Sequence, residues 1–182
     1  MTETHVGIYE RLAIYRKAEV ALRDFFSATN YCLPNCLQSK EKWGRPKNIG
    51  CCNGNAFEFL KGKKDAETRK TIKEFKRLQK ENAACQNHRE GECDYHSETG
   101  CQIERYLSPL CLGFVCSPYS IHLKNQYHIM YSSYGAISLL QGILEGREKL
   151  EEVNVWLTKV RKATERVKQE QNKKGELEEI VI

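Results

Sequence analysis

The sequence predicts a mainly α domain: helices that carry two cysteine-rich loops forming a metal site, with a long heptad-patterned helix toward the carboxyl end. Three observations lead there. Apolar residues recur at three- and four-residue steps over 4–28 and again from Ala136 to Val167, the period of one helical face. No segment shows the apolar–polar alternation of a half-buried strand. Eight of the nine cysteines fall into two groups of four, each in a stretch rich in Gly, Asn or Pro. The 182 residues are expected to form a single domain: an N-terminal helix over 4–28, a cysteine-rich metal-binding region over 29–118 and C-terminal helices over 119–174.

In the first helix Ile8, Leu12, Tyr15, Leu22 and Phe26 make the apolar row, and only Glu19 interrupts it. Pro34 then stops helical structure, because proline lacks an amide hydrogen and clashes with the preceding turn. The loop that follows runs through Gly44-Arg45-Pro46 to Gly50-Cys51-Cys52-Asn53-Gly54, a composition that bends tightly and lets backbone amides approach a ligand. A second helix is expected over 64–84, with Asp65 near its start and Ile72, Phe75 and Leu78 as apolar positions. A loop from Cys85 to Cys101 follows, and the chain turns helical again after Cys116-Ser117-Pro118.

The last third has the clearest period. Ala136, Leu139, Ile143, Gly146, Leu150, Val153, Leu157, Val160, Thr164 and Val167 alternate in steps of three and four, a heptad seam of about four heptads. Gly146 weakens the row and marks a bend between two helices. The expected partner of the seam lies within the chain, as an antiparallel N-terminal helix, with a homodimer through this helix as the other arrangement.

Hydrophobic residues make up 40% and charged residues 29% of the chain, a globular composition. No run approaches the roughly 18 to 20 apolar residues of a membrane span. The opening Met1-Thr2-Glu3-Thr4-His5 lacks a basic stretch followed by an apolar one, so the expected compartment is the cytoplasm. The net charge is +5, and residues 40–80 hold 13 Lys/Arg against 5 Asp/Glu. That local excess reads as a solvated helix face, and nucleic acid is not the expected partner. The aromatics that would stack on bases are sparse there: Trp43, Phe57, Phe59 and Phe75, three of them at core-like positions.

An odd cysteine count without an export signal argues for metal ligands over a disulfide framework, because reducing cytosol keeps thiols reduced. Cys51 and Cys52 are adjacent, and a disulfide between neighbours is strained. The first group is Cys32-x3-Cys36-x14-Cys51-Cys52 and the second Cys93-x7-Cys101-x9-Cys111-x4-Cys116, with Cys85 set apart. Four thiolates hold an iron–sulfur cluster, and structural zinc accepts the same donors. Only Cys32/Cys36 and, more loosely, Cys111/Cys116 come close to the short hooks of a zinc finger, and the spacing of two-cluster ferredoxins and a C-x2-C redox pair are absent. A 4Fe–4S cluster is therefore favoured and zinc is the alternative. Eight donors allow two sites, or one site built from both groups. His88 and His96 read as loop histidines, His122 and His128 as helix surface or core, and Tyr119, Tyr127, Tyr131 and Tyr134 as a core cluster. Phosphate-binding glycine loops, H-E-x-x-H and a specific Ser-His-Asp order are absent from the sequence.

The segments CLPNC, GCC, CDYH, GCQI and SPLCLGFVC make residues 32–116 resemble the zinc- or iron-chelating cysteine-cluster family of the CxxCxxCC type. In this chain Ser108-Pro109 and Cys111-Leu112 stand where the family commonly has Arg-Pro and Cys-Arg. The resemblance implies a metal or cluster held by Cys32, Cys36, Cys51, Cys52, Cys93, Cys101, Cys111 and Cys116. The function expected is an iron–sulfur protein for electron transfer, redox sensing or cluster-dependent chemistry, acting with a redox partner or a small molecule. A zinc-stabilised interaction module that docks an acidic or helical partner is the other class. Whether the chain is an enzyme is left open.

Overall fold

The computed structural model describes residues 6–32, 65–83, 96–97, 100–101, 103–171 and 180–181. The order of elements is helical with four two-residue strands: α1 (Ile8–Thr29), α2 (Ala66–Glu81), β1 (His96–Ser97), β2 (Gly100–Cys101), α3 (Pro109–Gly113), α4 (Ser117–Tyr127), β3 (Ile129–Met130), α5 (Ser133–Glu145), α6 (Leu150–Glu170) and β4 (Ile180–Val181). The mainly helical architecture is as expected, and the short strands add to it. β1 and β2 pair antiparallel, and β3 pairs in parallel with β4 near the carboxyl end. At two residues each, these ladders are too short to show a period in the sequence.

Helix α1 begins later than expected, since Gly7 is extended and serves as its N-cap. It ends at Asn30 in the left-handed conformation, φ 43°, whose amide donates to the carbonyls of Phe26 and Ser27. Asparagine accepts that conformation more readily than most residues. Leu12, Tyr15, Ala18, Leu22 and Phe25 form its buried face. Helix α2 is shorter than 64–84 at both ends. The Asp65 carboxylate caps it by accepting the Thr68 amide at 2.7 Å. Beyond Asn82, Ala83 leaves the helix for an antiparallel bridge to Ile103, and the Glu104 amide donates to the Asn82 carbonyl at 2.9 Å. That bridge brings together the two ends of the segment between Ala83 and Ile103. A short helix, α3, also lies inside the stretch expected as loop; the Ser108 hydroxyl caps it, with Pro109 in its first turn.

The heptad row is divided between two helices at the glycine. Gly146 adopts φ 70° and closes α5 with its amide on the carbonyls of Gly142 and Ile143. Leu150, assigned to the seam, is 49% exposed where α6 starts. Val153, Leu157, Val160, Thr164 and Val167 are buried, and Trp156 and Ala163 join them to widen the stripe.

One core cluster joins these helices. It contains Leu12, Tyr15, Leu22 and Phe25 of α1, Phe75 of α2, Leu112 of α3, Leu123 of α4, Leu140 of α5 and Val160 of α6. Helix α6 packs on α1, as expected for the seam, but in the opposite sense to that expected. Gln171, at the end of α6, donates to the carbonyl of Ala28 at the end of α1, at 2.8 Å, so the two run in the same direction. The antiparallel neighbour is α5: a Cβ at Gly146, its C-cap, would collide with the Arg11 guanidinium near the start of α1. The direction follows from the extra helix, because α5 descends along α1 and α6 must then return.

Candidate metal centre

Four cysteines of the two groups, Cys32, Cys101, Cys111 and Cys116, are among the described residues. Cys32 lies just past α1 and is exposed; Cys116 is the N-cap of α4 and half-buried. Cys111 sits in α3, exposed, its amide donating to the Ser108 hydroxyl at 3.2 Å. Cys101 is in β2, exposed, and its register partner across the ladder is His96. Cys36, Cys51, Cys52, Cys93 and the separate Cys85 lie outside the described residues, as does His88.

Tyr119 connects the two groups. It is buried, and its hydroxyl hydrogen-bonds to that of Thr29 in the last turn of α1. Its ring stacks on Tyr31, with centroids 4.5 Å apart and planes within 4°. Tyr31 packs in turn on His122, with centroids 4.7 Å apart, and His122 meets Tyr127 edge-on at 5.6 Å. Burial pushes the Tyr119 hydroxyl pKa well above its ordinary value, the Thr29 hydrogen bond opposes that shift, and the charges of Cys32 and then Cys116 add to it. One cysteine of each group therefore lies within electrostatic reach of the same hydroxyl. Burial also lowers the pKa of His122, which favours the neutral imidazole. Tyr119, Tyr127 and Tyr131 are buried as expected of a core cluster, whereas Tyr134 is 86% exposed and does not belong to it.

A second buried tyrosine, Tyr15, holds the segment that leads to Cys111. The Tyr15 hydroxyl donates to the Leu107 carbonyl at 2.5 Å. Its pKa is raised first by burial, then by Glu19 and by Cys111, with Arg23 opposing.

Glu19, which interrupts the apolar row of α1, turns out to hold the approach to α3. Its side chain has no exposure, and its carboxylate accepts the amides of Tyr106 at 2.8 Å and Leu107 at 3.1 Å. Arg23 Nε donates to it at 3.1 Å, and Arg16 reaches it at 2.8 Å at an angle that makes an ion pair and not a hydrogen bond. Tyr106 has φ 63°, an uncommon conformation for a residue with a side chain, and the clamp offsets its cost. Arg23 also donates to the Ile103 carbonyl at 2.8 Å, and Gln79 of α2 to that of Tyr106 at 2.6 Å. The segment between Cys101 and Cys111 is thus fixed by polar side chains of α1 and α2. The signal available in the sequence was the lone carboxylate in an apolar row; a buried charge needs partners, and backbone amides supply them.

Among the described residues, no three His, Cys, Asp or Glu side chains come together closely enough to hold a metal ion. A four-thiolate site built around Cys32 and Cys116 would draw its other donors from the stretches 33–64 and 84–95, where Cys36, Cys51, Cys52 and Cys93 lie. The described cysteines Cys32, Cys101, Cys111 and Cys116 fit such a group in chemistry. No protein-family model matches this sequence, and no curated protein and no solved structure matches it. Among the described residues no helix is long and apolar enough to cross a membrane.

Proposed function

We propose that this chain is a metal-binding protein whose cysteine thiolates hold an iron–sulfur cluster, of the 4Fe–4S type, in one site built from both cysteine groups. The observation that carries this reading is the junction of α1 with α4, where Thr29 hydrogen-bonds to Tyr119 and Tyr31 stacks on it, next in sequence to Cys32 on one side and close to Cys116 on the other. The two cysteines are 84 positions apart in sequence and belong to different groups. The donors would come from Cys32, Cys36, Cys51, Cys52, Cys93, Cys101, Cys111 and Cys116. The spacing that resembles the cysteine-cluster family supports the same donor set. A bound cluster supplies one-electron chemistry, and its ligation by cysteines alone favours electron transfer or redox sensing with a partner protein or small molecule in the cytoplasm. The chain's own residues would position the donors. Glu19 and Arg23 hold the segment before Cys111, and Thr29 and Tyr119 tie the end of α1 to α4 beside Cys32 and Cys116.

The test is a pair of single variants, Cys32→Ser and Cys116→Ser, purified anaerobically and assayed for metal. Serine is among the preferred N-cap residues, so Cys116→Ser does not weaken the start of α4. Loss of most bound metal in each variant, with helicity intact, is the expected result. Full metal retention in both would overturn the shared site, and loss in only one would reduce it to a site of a single group.

A further inference from the structure

The stretch 106–144 builds α3, α4, β3 and α5, and Lys124 is its one Asp, Glu, Lys or Arg, in a chain that is 29% charged. Burial does not account for this. Thirteen residues of the stretch are exposed, and of these only Lys124 is charged. More than half of the other described exposed residues are charged. Four of the exposed large apolar side chains belong to the stretch: Phe114 (44% exposed), Ile121 (59%), Met130 (37%) and Tyr134 (86%).

Two of the four stand at one junction. The Ser133 hydroxyl accepts the Val115 amide at 2.9 Å and donates to the Val115 carbonyl at 3.2 Å. Tyr131 donates to the Gly113 carbonyl at 3.1 Å, and a Cβ on Gly113 would lie 2.8 Å from Ile137 Cγ1. Phe114, between Gly113 and Val115, and Tyr134, next to Ser133, therefore flank the contact that joins α3 to α5. The exposed residues nearest to them in sequence include Ser117, Pro118, Ser132 and Gly135, all small and uncharged. An exposed apolar patch of this kind marks a place where another molecule binds.

We propose that a second copy of this chain docks on the α3–α5 junction, with Phe114 and Tyr134 as the anchors of a two-fold dimer. Charge decides the class of partner. An acidic protein, a nucleic-acid backbone and an anionic membrane each draw on cations, and the exposed residues of 106–144 offer Lys124 alone. In a two-fold dimer the same patch meets itself, so a face of either sign repels its copy and an uncharged face does not. The whole chain carries +5, so two copies approach most easily through the part that holds least of that charge. Depletion of charge together with Phe, Tyr and Met is the composition of an interface core, and homodimer interfaces are the more apolar class. The apolar row of α6, the other face that the sequence offered to a dimer, is buried and packed on α1. The inference does not rest on the metal.

The experiment is sedimentation equilibrium of the full chain over a wide range of concentration, with reductant present so that no intermolecular disulfide contributes. Wild type is compared with Tyr134→Glu, Phe114→Asp and Val155→Asp. Tyr134 is the second residue of α5, where an acidic side chain suits the helix dipole, so that variant keeps its fold. Val155, 59% exposed on α6, is the control for an apolar surface residue elsewhere. Wild type is expected to form a dimer that added salt does not weaken, because no ion pair holds it. Tyr134→Glu and Phe114→Asp should each raise the dissociation constant by at least about tenfold, with helicity unchanged, and Val155→Asp should leave it as in wild type. Should Phe114→Asp lose helicity, Tyr134→Glu decides alone. A wild type that stays monomeric at the highest concentration would overturn the proposal and leave the face to a different protein. So would a dimer that survives Tyr134→Glu, or one that Val155→Asp dissociates.

Discussion

Glu19 shows how much one side chain organises here. Two backbone amides and two arginines converge on a carboxylate with no exposure. Replacing it by Ala leaves the amides of Tyr106 and Leu107 without an acceptor, at a cost of about 1 to 3 kcal/mol each if they stay buried. The expected outcome is a large loss of stability in denaturant unfolding, together with faster proteolysis between Ile103 and Ser108. A variant as stable as wild type would mean that solvent replaces the clamp. Glu148 provides a pH test of the opposite sign to the usual carboxylate. Burial raises its pKa, Arg147 opposes and Glu152 adds. A group whose folded pKa exceeds the unfolded one contributes stability below the unfolded value, near 4.3 for Glu, and loses it as pH rises through the folded value. Glu148→Gln should therefore melt higher than wild type at neutral pH, with the gap closing on acidification toward pH ~4. A gap that widens on acidification would contradict the shift. At this scale the sequence was legible where residues were apolar. It was silent where a polar residue finds its partner far along the chain: Glu19 meets Tyr106, and Thr29 meets Tyr119, across 87 and 90 positions.

For the helices, periodicity predicted existence well and boundaries less well. The row of α1 and the seam over Val153 to Val167 are both buried faces, because 3.6-residue periodicity is a direct consequence of facing one core. Direction was not legible. Gly146 was visible as a weak point in the seam, but only its φ of 70° makes it a helix end and gives α6 the same direction as α1. The short α3 was hidden, since five residues are too few for a period. The seam can be tested at its two ends. Leu157, 4% exposed, should cost about 2 to 5 kcal/mol when changed to Ala. Leu150→Ala, at a half-exposed position, should change stability by less than about 1 kcal/mol. Equal effects at the two sites would mean that the row acts as one continuous interface, as a dimer through this helix would require.

Across the whole molecule the helical frame and the cysteine groups do different work. The core is built from α1, α2, α3, α4, α5 and α6. The described cysteines sit at or beyond the ends of those elements, or in the short α3 and β2, with Cys116 half-buried and the rest exposed. On the proposed function, metal binding would add folding free energy to the loops while the frame stands by its own packing. Cys52→Ser and Cys111→Ser are expected to lose metal and become protease-sensitive within 29–56 and 85–118, with α6 protected throughout, while Cys85→Ser does neither. Equal damage from Cys85→Ser would place Cys85 among the ligands. The grouping of the cysteines was legible in the sequence, and the proposed donor set rests on it. What the sequence did not show is that Thr29 and Tyr119 join the end of α1, beside Cys32, to α4, beside Cys116. The most direct measurement of the central claim is the metal content of the protein purified without oxygen from cells supplied with iron and zinc. A brown protein with iron and acid-labile sulfide in matching amounts is the predicted result; a colourless protein with stoichiometric zinc and no iron would contradict it.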